Sequence, residues 1–172
     1  IAIRSHGWAG GHGFYQNGKT VMNFIYQTDY TTLDPQALFY SLFVCSGSDY
    51  TAQDYLAGTI AFNPDNSGLV AWGSTKTGGM WHGGTFYMTL GGAGTIGDAF
   101  KKWFNEVQSV YSGYYGQSYV ASWWYGMVII GDGSLKITKT CQPGDLDCNG
   151  AFNIYDMQRL INCIFSKGSC AN

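Results

Sequence analysis

The chain has 172 residues, of which 45% are hydrophobic and only 12% are charged, a composition that predicts a packed globular protein and excludes a disordered one. Nine basic and eleven acidic residues leave a net charge of −2 without a basic stripe, so we expect no nucleic-acid binding. The longest apolar runs are too short to span a bilayer. The abundance of Gly, Tyr and Trp, together with a single glutamate at Glu106, favours an exported protein.

Four short apolar runs, each closed by small residues, are predicted to form buried strands that lead into loops. They are residues 1–5, 41–45, 69–72 and 126–130. Because the chain begins inside the first of these runs and without a Met, we expect either that a secretory signal has been removed or that the chain is a piece of a larger protein.

Helices are predicted between these strands. The clearest begins at Thr95, a capping residue with Asp98 three positions later, and continues with apolar residues at helical spacing to Val107. Residues 51–61 and 85–90 are further helix candidates. Strand–helix alternation with continuous apolar strands predicts an α/β domain over residues 1–139, with a mostly parallel sheet flanked by helices. Residues 140–172 form a small separate tail.

The tail contains a predicted calcium-binding loop at residues 145–156. Oxygen-bearing side chains occupy loop positions 1, 3, 5, 9 and 12, a glycine occupies position 6, and position 7 offers a backbone carbonyl. An amphipathic helix follows. The predicted ligands are Asp145, Asp147, Asn149, Ala151, Asn153 and Asp156.

This loop and helix resemble a single type I dockerin repeat over residues 144–165, with Asp156 at position 12 and no helix before the loop. The resemblance implies a calcium-stabilised tail. Dockerins usually carry two repeats and often have Ser or Thr at positions 10 and 11, where this chain has Ile154 and Tyr155. These departures argue against cohesin binding.

Four cysteines flank or interrupt the tail motif, and sequence alone leaves their pairing open. Two disulfides in three possible connectivities would stabilise so small a unit and would place the protein in an oxidising, extracellular compartment. A zinc site is the alternative, although the spacing contains no C-x-x-C pair. The four are Cys141, Cys148, Cys163 and Cys170.

A second group of residues combines a thiol with an imidazole. His6-Gly7 and Cys45 each follow a predicted strand, and the carboxyl ends of parallel strands meet at one edge of a sheet. A histidine can serve as base for a cysteine nucleophile, and the Gly7 and Cys45 amides can form an oxyanion hole by donating hydrogen bonds. His12 and His82 have the same His-Gly dipeptide, and His12 is the main alternative base.

Residues 1–139 resemble the C-terminal half of a caspase-fold cysteine peptidase of the gingipain type. The matching segments, in order, are His6-Gly7, Cys45, LVAWGST at 69–75, TIGDAF at 95–100 and MVIIGDGSLKI at 127–137. The resemblance implies an endopeptidase with Cys45 as nucleophile and His6 as base, acting on a peptide or protein substrate. Members of this family have two or more strands before the His strand, so the resemblance implies either that another chain, such as an N-terminal fragment of the same precursor, supplies these strands or that they have been cut away.

In this family one strand-end segment lines the pocket for the residue before the scissile bond, and the corresponding residues here are Trp72, Gly73, Ser74 and Thr75. Preference for a basic side chain would require an acid in that pocket. Asp49, Asp54 and Asp98 are the candidates.

The alternative hypothesis is a catalytically inactive extracellular protein on the same fold, a self-assembling surface-layer or filament subunit. Cys45 would then be a small buried apolar residue. An aromatic-rich stretch would provide an assembly or carbohydrate-binding surface, or simply part of the core. It contains Tyr111, Tyr114, Tyr115, Tyr119, Trp123, Trp124 and Tyr125.

Overall fold

The computed structural model describes residues 1–16, 20–137 and 153–165. The chain divides into two compact units, Ile1–Lys136 and Ile137–Asn172. In chain order, the first unit contains β1 (Ala2–Arg4), β2 (His6–Trp8), β3 (Gly11–Gln16), β4 (Thr20–Tyr26), α1 (Gln27–Leu33), β5 (Phe39–Phe43), α2 (Leu56–Phe62), β6 (Val70–Ser74), α3 (Gly84–Gly91), α4 (Ile96–Glu106), a π-helix (Val107–Tyr111), α5 (Ser112–Tyr115), α6 (Gln117–Trp124) and β7 (Met127–Gly131).

The main sheet has the strand order β1-β5-β6-β7. Strands β1, β5 and β6 are parallel, whereas β7 runs antiparallel to β6. Each of the four predicted apolar runs contributes to one of these strands. The predicted α/β class, with a mostly parallel sheet flanked by helices, is therefore confirmed.

Alternate side chains of the strands enter two cores on opposite faces of the main sheet. On β6, Val70 and Trp72 belong to one core with residues of α3, α4 and α6, while Ala71 belongs to the other with residues of α2. Trp72 and Trp103 are fully buried in the first core, with ring centroids 4.9 Å apart. Continuous apolar strands are required because helices cover both faces.

A second sheet, which was not predicted, contains β2, β3 and β4 in antiparallel order. It lies between β1 and α1 in the sequence, and its β3 begins within a glycine-rich stretch. Two backbone hydrogen bonds tie its β2–β3 turn to the helices: the Gln27 N–H donates to the Gly10 carbonyl at 3.0 Å, and the Leu56 N–H donates to the Ala9 carbonyl at 2.7 Å.

Helix α4 begins as the sequence predicts. The Asp98 N–H donates to Thr95 Oγ1 at 3.0 Å, and the Thr95 N–H donates to an Asp98 carboxylate oxygen at 3.1 Å, forming a capping box.

In the second unit, the structure describes helix α7 (Ile154–Phe165), the predicted amphipathic helix that follows the loop. Across the described ranges, no helix combines the length and apolarity that crossing a membrane requires.

Candidate functional site

A pocket of about 540 Å³ lies at the carboxyl edge of the main sheet. Chain segments from the ends of β1, β5 and β6 meet there, as does the segment just before the antiparallel β7. Both His6 and Cys45 line it. The complete described lining is Arg4, Ser5, His6, Gly13, Phe14, Phe43, Cys45, Gly78, Trp81 and Trp123.

The loop that carries Cys45 is held by backbone hydrogen bonds to the chain that follows β6. The Ser46 N–H donates to the Lys76 carbonyl at 2.9 Å, and the Ser48 N–H donates to the Ser74 carbonyl at 2.9 Å. Ser46 has a φ of 56°, in the left-handed region that a non-glycine residue seldom adopts. The chain therefore turns sharply directly after the half-buried, free Cys45 thiol.

The Cys45 amide lies directly before this turn. Among the described residues, no backbone bond from its N–H is formed outside the strands and helices, whereas the next residue's N–H is bonded. An amide N–H beside a thiol can donate a hydrogen bond to a substrate oxygen.

The two predicted catalytic segments are in direct contact through Gly7 and Val44. A methyl group at Gly7 would lie 2.3 Å from Val44 Cγ1 and 2.6 Å from the Gly11 carbonyl oxygen. Only a hydrogen fits, so glycine is required for β2 to pack against the residue that precedes Cys45. Sequence reasoning assigned Gly7 to substrate approach, whereas the structure assigns it a packing role as well.

His12 has a different environment from His6. Its ring is 1% exposed, with Nδ1 3.0 Å from Ser5 Oγ and Nε2 2.8 Å from the Tyr30 hydroxyl. Burial lowers the pKa of His12, and burial, followed by the charges of Tyr40 and Asp29, raises the pKa of Tyr30 to about 12. A neutral imidazole and two hydroxyls thus form a buried chain that ends at the pocket residue Ser5.

His82 stacks on an aromatic side chain beyond the pocket. Its ring lies 4.0 Å from that of Tyr111 at an interplanar angle of 18°, and Tyr115 stacks farther along. The aromatic-rich stretch has mixed roles: Trp124 is 1% exposed in the core, Trp123 lines the pocket and Tyr114 is 79% exposed.

The segment expected to line the substrate pocket is mostly enclosed by the protein. Trp72, Gly73 and Ser74 are buried, Thr75 is partly exposed, and none of the four lines the pocket that contains Cys45. Gly78 and Trp81, slightly later in the same chain segment, do line it. Sequence reasoning missed them, although their position just after a buried strand was a usable signal.

The acids considered for a basic-specificity pocket also lie elsewhere. Asp49 accepts hydrogen bonds from the Thr51 N–H and hydroxyl, Asp98 caps α4, and Asp54 lines a different pocket, between α1 and α2.

Of the predicted calcium ligands, the structure describes Asn153 and Asp156. Asp156 is 1% exposed and its Oδ2 accepts from the Asn153 N–H at 2.8 Å, while Asn153 Oδ1 accepts from the Tyr155 N–H at 2.9 Å. These bonds form the start of α7. Asp145, Asp147, Asn149 and Ala151 lie outside the described residues, as do Cys141, Cys148 and Cys170, and only the backbone of Cys163 is described.

Comparisons with protein-family models, curated proteins and solved structures found no match to this chain.

Proposed function

We propose that this chain is the core of a secreted cysteine endopeptidase, with Cys45 as nucleophile and His6 as base. The observation that carries the proposal is a free thiol and an imidazole in the lining of one pocket at the carboxyl edge of a parallel sheet. A caspase-like, gingipain-type fold is the parent architecture we propose, because the order His-Gly, strand, Cys matches it.

The proposed reaction uses His6 and Cys45, which line the pocket, together with backbone amides beside them. His6 takes the thiol proton, and the Cys45 sulfur attacks the peptide carbonyl carbon. The Cys45 N–H, with that of Gly7, donates to the oxygen as it gains negative charge. The amide bond then breaks, His6 returns the proton to the leaving amine, and water hydrolyses the thioester to release the acid and the thiol.

His6 is a better candidate for this base than His12. The His12 side chain is buried, whereas His6 is exposed and lines the pocket. We assign His12 to positioning the segment that precedes His6, through Ser5.

We further propose that the tail is a calcium-stabilised unit. The position of Asp156 supports this: it is the last residue of the loop, and its buried carboxylate, which accepts from the Asn153 N–H, bears oxygens of the kind that calcium binds. Its neighbour Asn153 bears a carbonyl oxygen of the kind that calcium prefers. We propose that disulfides among the tail cysteines stabilise the same unit.

The peptidase proposal is tested by assaying casein and peptide-library hydrolysis, with iodoacetamide labelling mapped by mass spectrometry. Cys45→Ala should abolish hydrolysis, and His6→Gln should reduce it by about 10²–10⁴-fold. His82→Gln is the matched control and should retain activity. Undiminished hydrolysis by Cys45→Ala would refute the assignment.

The same samples distinguish the peptidase from the alternative, an inactive assembly subunit. If the wild-type protein labels at Cys45 no faster than a denatured control, hydrolyses nothing and elutes as a large polymer in size-exclusion chromatography, the structural role is favoured.

A further inference from the structure

We propose that the Cys45 pocket accepts an aromatic or large aliphatic side chain of a peptide and disfavours a basic one. This inference rests on the proposed peptidase function and specifies its substrate class.

Three aromatic rings form a wall of the pocket beside the thiol. Phe43 and Trp81 meet edge to face with centroids 5.1 Å apart, and Trp81 and Trp123 do so at 6.2 Å. Trp81 is 47% exposed although it is one of the largest apolar side chains. An exposed aromatic wall in a concave site is typical of a surface that binds apolar groups.

Backbone contacts hold this wall in place. A methyl group at Gly79 would lie 2.5 Å from the Phe43 ring, and one at Gly78 would lie 2.5 Å from the Trp123 carbonyl oxygen, so the chain passes directly against the aromatic residues. The Trp103 indole N–H donates to the Trp81 carbonyl at 3.3 Å. Because the wall is preformed, little conformational entropy is lost when a ligand ring packs on it.

The charges at the pocket oppose a basic ligand. Among its described lining residues there is no carboxylate, and Arg4 is the one permanent cation. A lysine or arginine side chain would lose water without gaining a counter-ion and would be repelled by Arg4. Because Arg4 is exposed, its repulsion of a basic side chain and its attraction of an acidic one are both small, so the missing counter-ion is the main cost for a lysine or arginine.

The test separates binding from chemistry by using the Cys45→Ala variant. Five blocked pentapeptides that differ only in a central Phe, Leu, Ala, Lys or Glu are titrated by isothermal calorimetry. The Phe and Leu peptides should bind about tenfold more tightly than the Ala peptide, and the Lys peptide should bind more weakly than any other.

Variants in the same background locate the binding site. Trp81→Ala should remove most of the preference for Phe, whereas Arg4→Gln should slightly strengthen binding of the Lys peptide and slightly weaken binding of the Glu peptide. Tyr114→Ala, which removes an exposed aromatic side chain outside the pocket, should change the affinity for neither the Phe peptide nor the Lys peptide. Circular dichroism checks that each variant is folded.

Tightest binding of the Lys or Glu peptide, a Phe preference that survives Trp81→Ala, or no measurable binding of any peptide would overturn the inference. The two proposals fail differently. If the wild-type protein binds the Phe peptide but cleaves none of the five, the peptidase function fails and the ligand class stands. If it cleaves the Lys peptide alone, the peptidase function stands and the ligand class fails.

Discussion

Protonating the buried imidazole of His12 is unfavourable in the folded state, and this couples stability to pH. Its pKa in the folded protein lies below the ordinary value of about 6.5 that applies to the unfolded chain. As pH falls through 6.5, the unfolded chain binds a proton before the folded one does, so the free energy of unfolding decreases.

We therefore expect the free energy of unfolding to be lower at pH 5.5 than at pH 7.5, and His12→Gln to show a smaller difference. Urea unfolding of the wild type and of His12→Gln at pH 5.5 and pH 7.5 measures these free energies. Equal differences in wild type and variant would mean that His12 is not the group responsible.

Gly7 is the second residue-scale feature with a direct test. In Gly7→Ala, the new methyl group overlaps Val44 and the Gly11 carbonyl, so we expect a loss of about 1–3 kcal/mol of stability together with slower labelling of Cys45. Gly84→Ala is the matched control, because a methyl group there meets no atom within 4 Å. Similar effects of the two substitutions in urea unfolding and thiol labelling would contradict the packing role.

At the scale of elements, the start of α4 depends on a local side-chain motif. Thr95→Ala removes the hydroxyl that accepts from the Asp98 N–H and should cost about 1 kcal/mol, whereas Thr95→Ser should be close to neutral. The bond from the Asp98 N–H does not titrate, but hydrogen bonds from Thr95 to the Asp98 carboxylate lower the pKa of Asp98, so the further contribution of that carboxylate is present above about pH 4 and is lost as pH falls through the folded pKa. Thermal unfolding at pH 7 and pH 3 checks both statements.

The elements that could be predicted are those whose signals are local. Thr95 and Asp98 predict the start of a helix from four consecutive residues. Runs such as 69–72 are apolar because both faces of their strand are covered. The small antiparallel sheet could not be read in the same way, because Gly11 and Gly13 in β3 leave no clean alternation of apolar and polar residues.

The candidate site was predictable in the same partial sense. Strand ends brought His6 and Cys45 to one sheet edge, and the structure places both in the lining of one pocket. The aromatic wall was missed because Phe43, Trp81 and Trp123 are far apart in sequence. Only packing of the loop after β6 against the end of α6 brings them together.

For the whole molecule, the two compact units should respond differently to calcium. With calcium at about 100 times its dissociation constant, a filled site adds about 2.7 kcal/mol to the unit that holds it. Scanning calorimetry with calcium and with EDTA should therefore shift a transition of the tail and leave that of Ile1–Lys136 in place.

Asp145→Ala should remove the calcium shift, whereas Asp65→Asn, which changes an exposed acid in the first unit, should not. A tail transition that is the same with calcium and with EDTA would exclude a stabilising calcium site.

The proposed nucleophile and the proposed base belong to different sheets: Cys45 follows β5 of the main sheet, and His6 begins β2 of the small one. Small peripheral sheets open at lower free-energy cost than a central core. On heating, enzymatic activity is therefore expected to disappear reversibly several degrees before the circular dichroism signal changes. If variants were ranked by the activity they retain after heating, the ranking would then measure how firmly the small sheet stays packed on the main sheet, and not the unfolding of the whole unit.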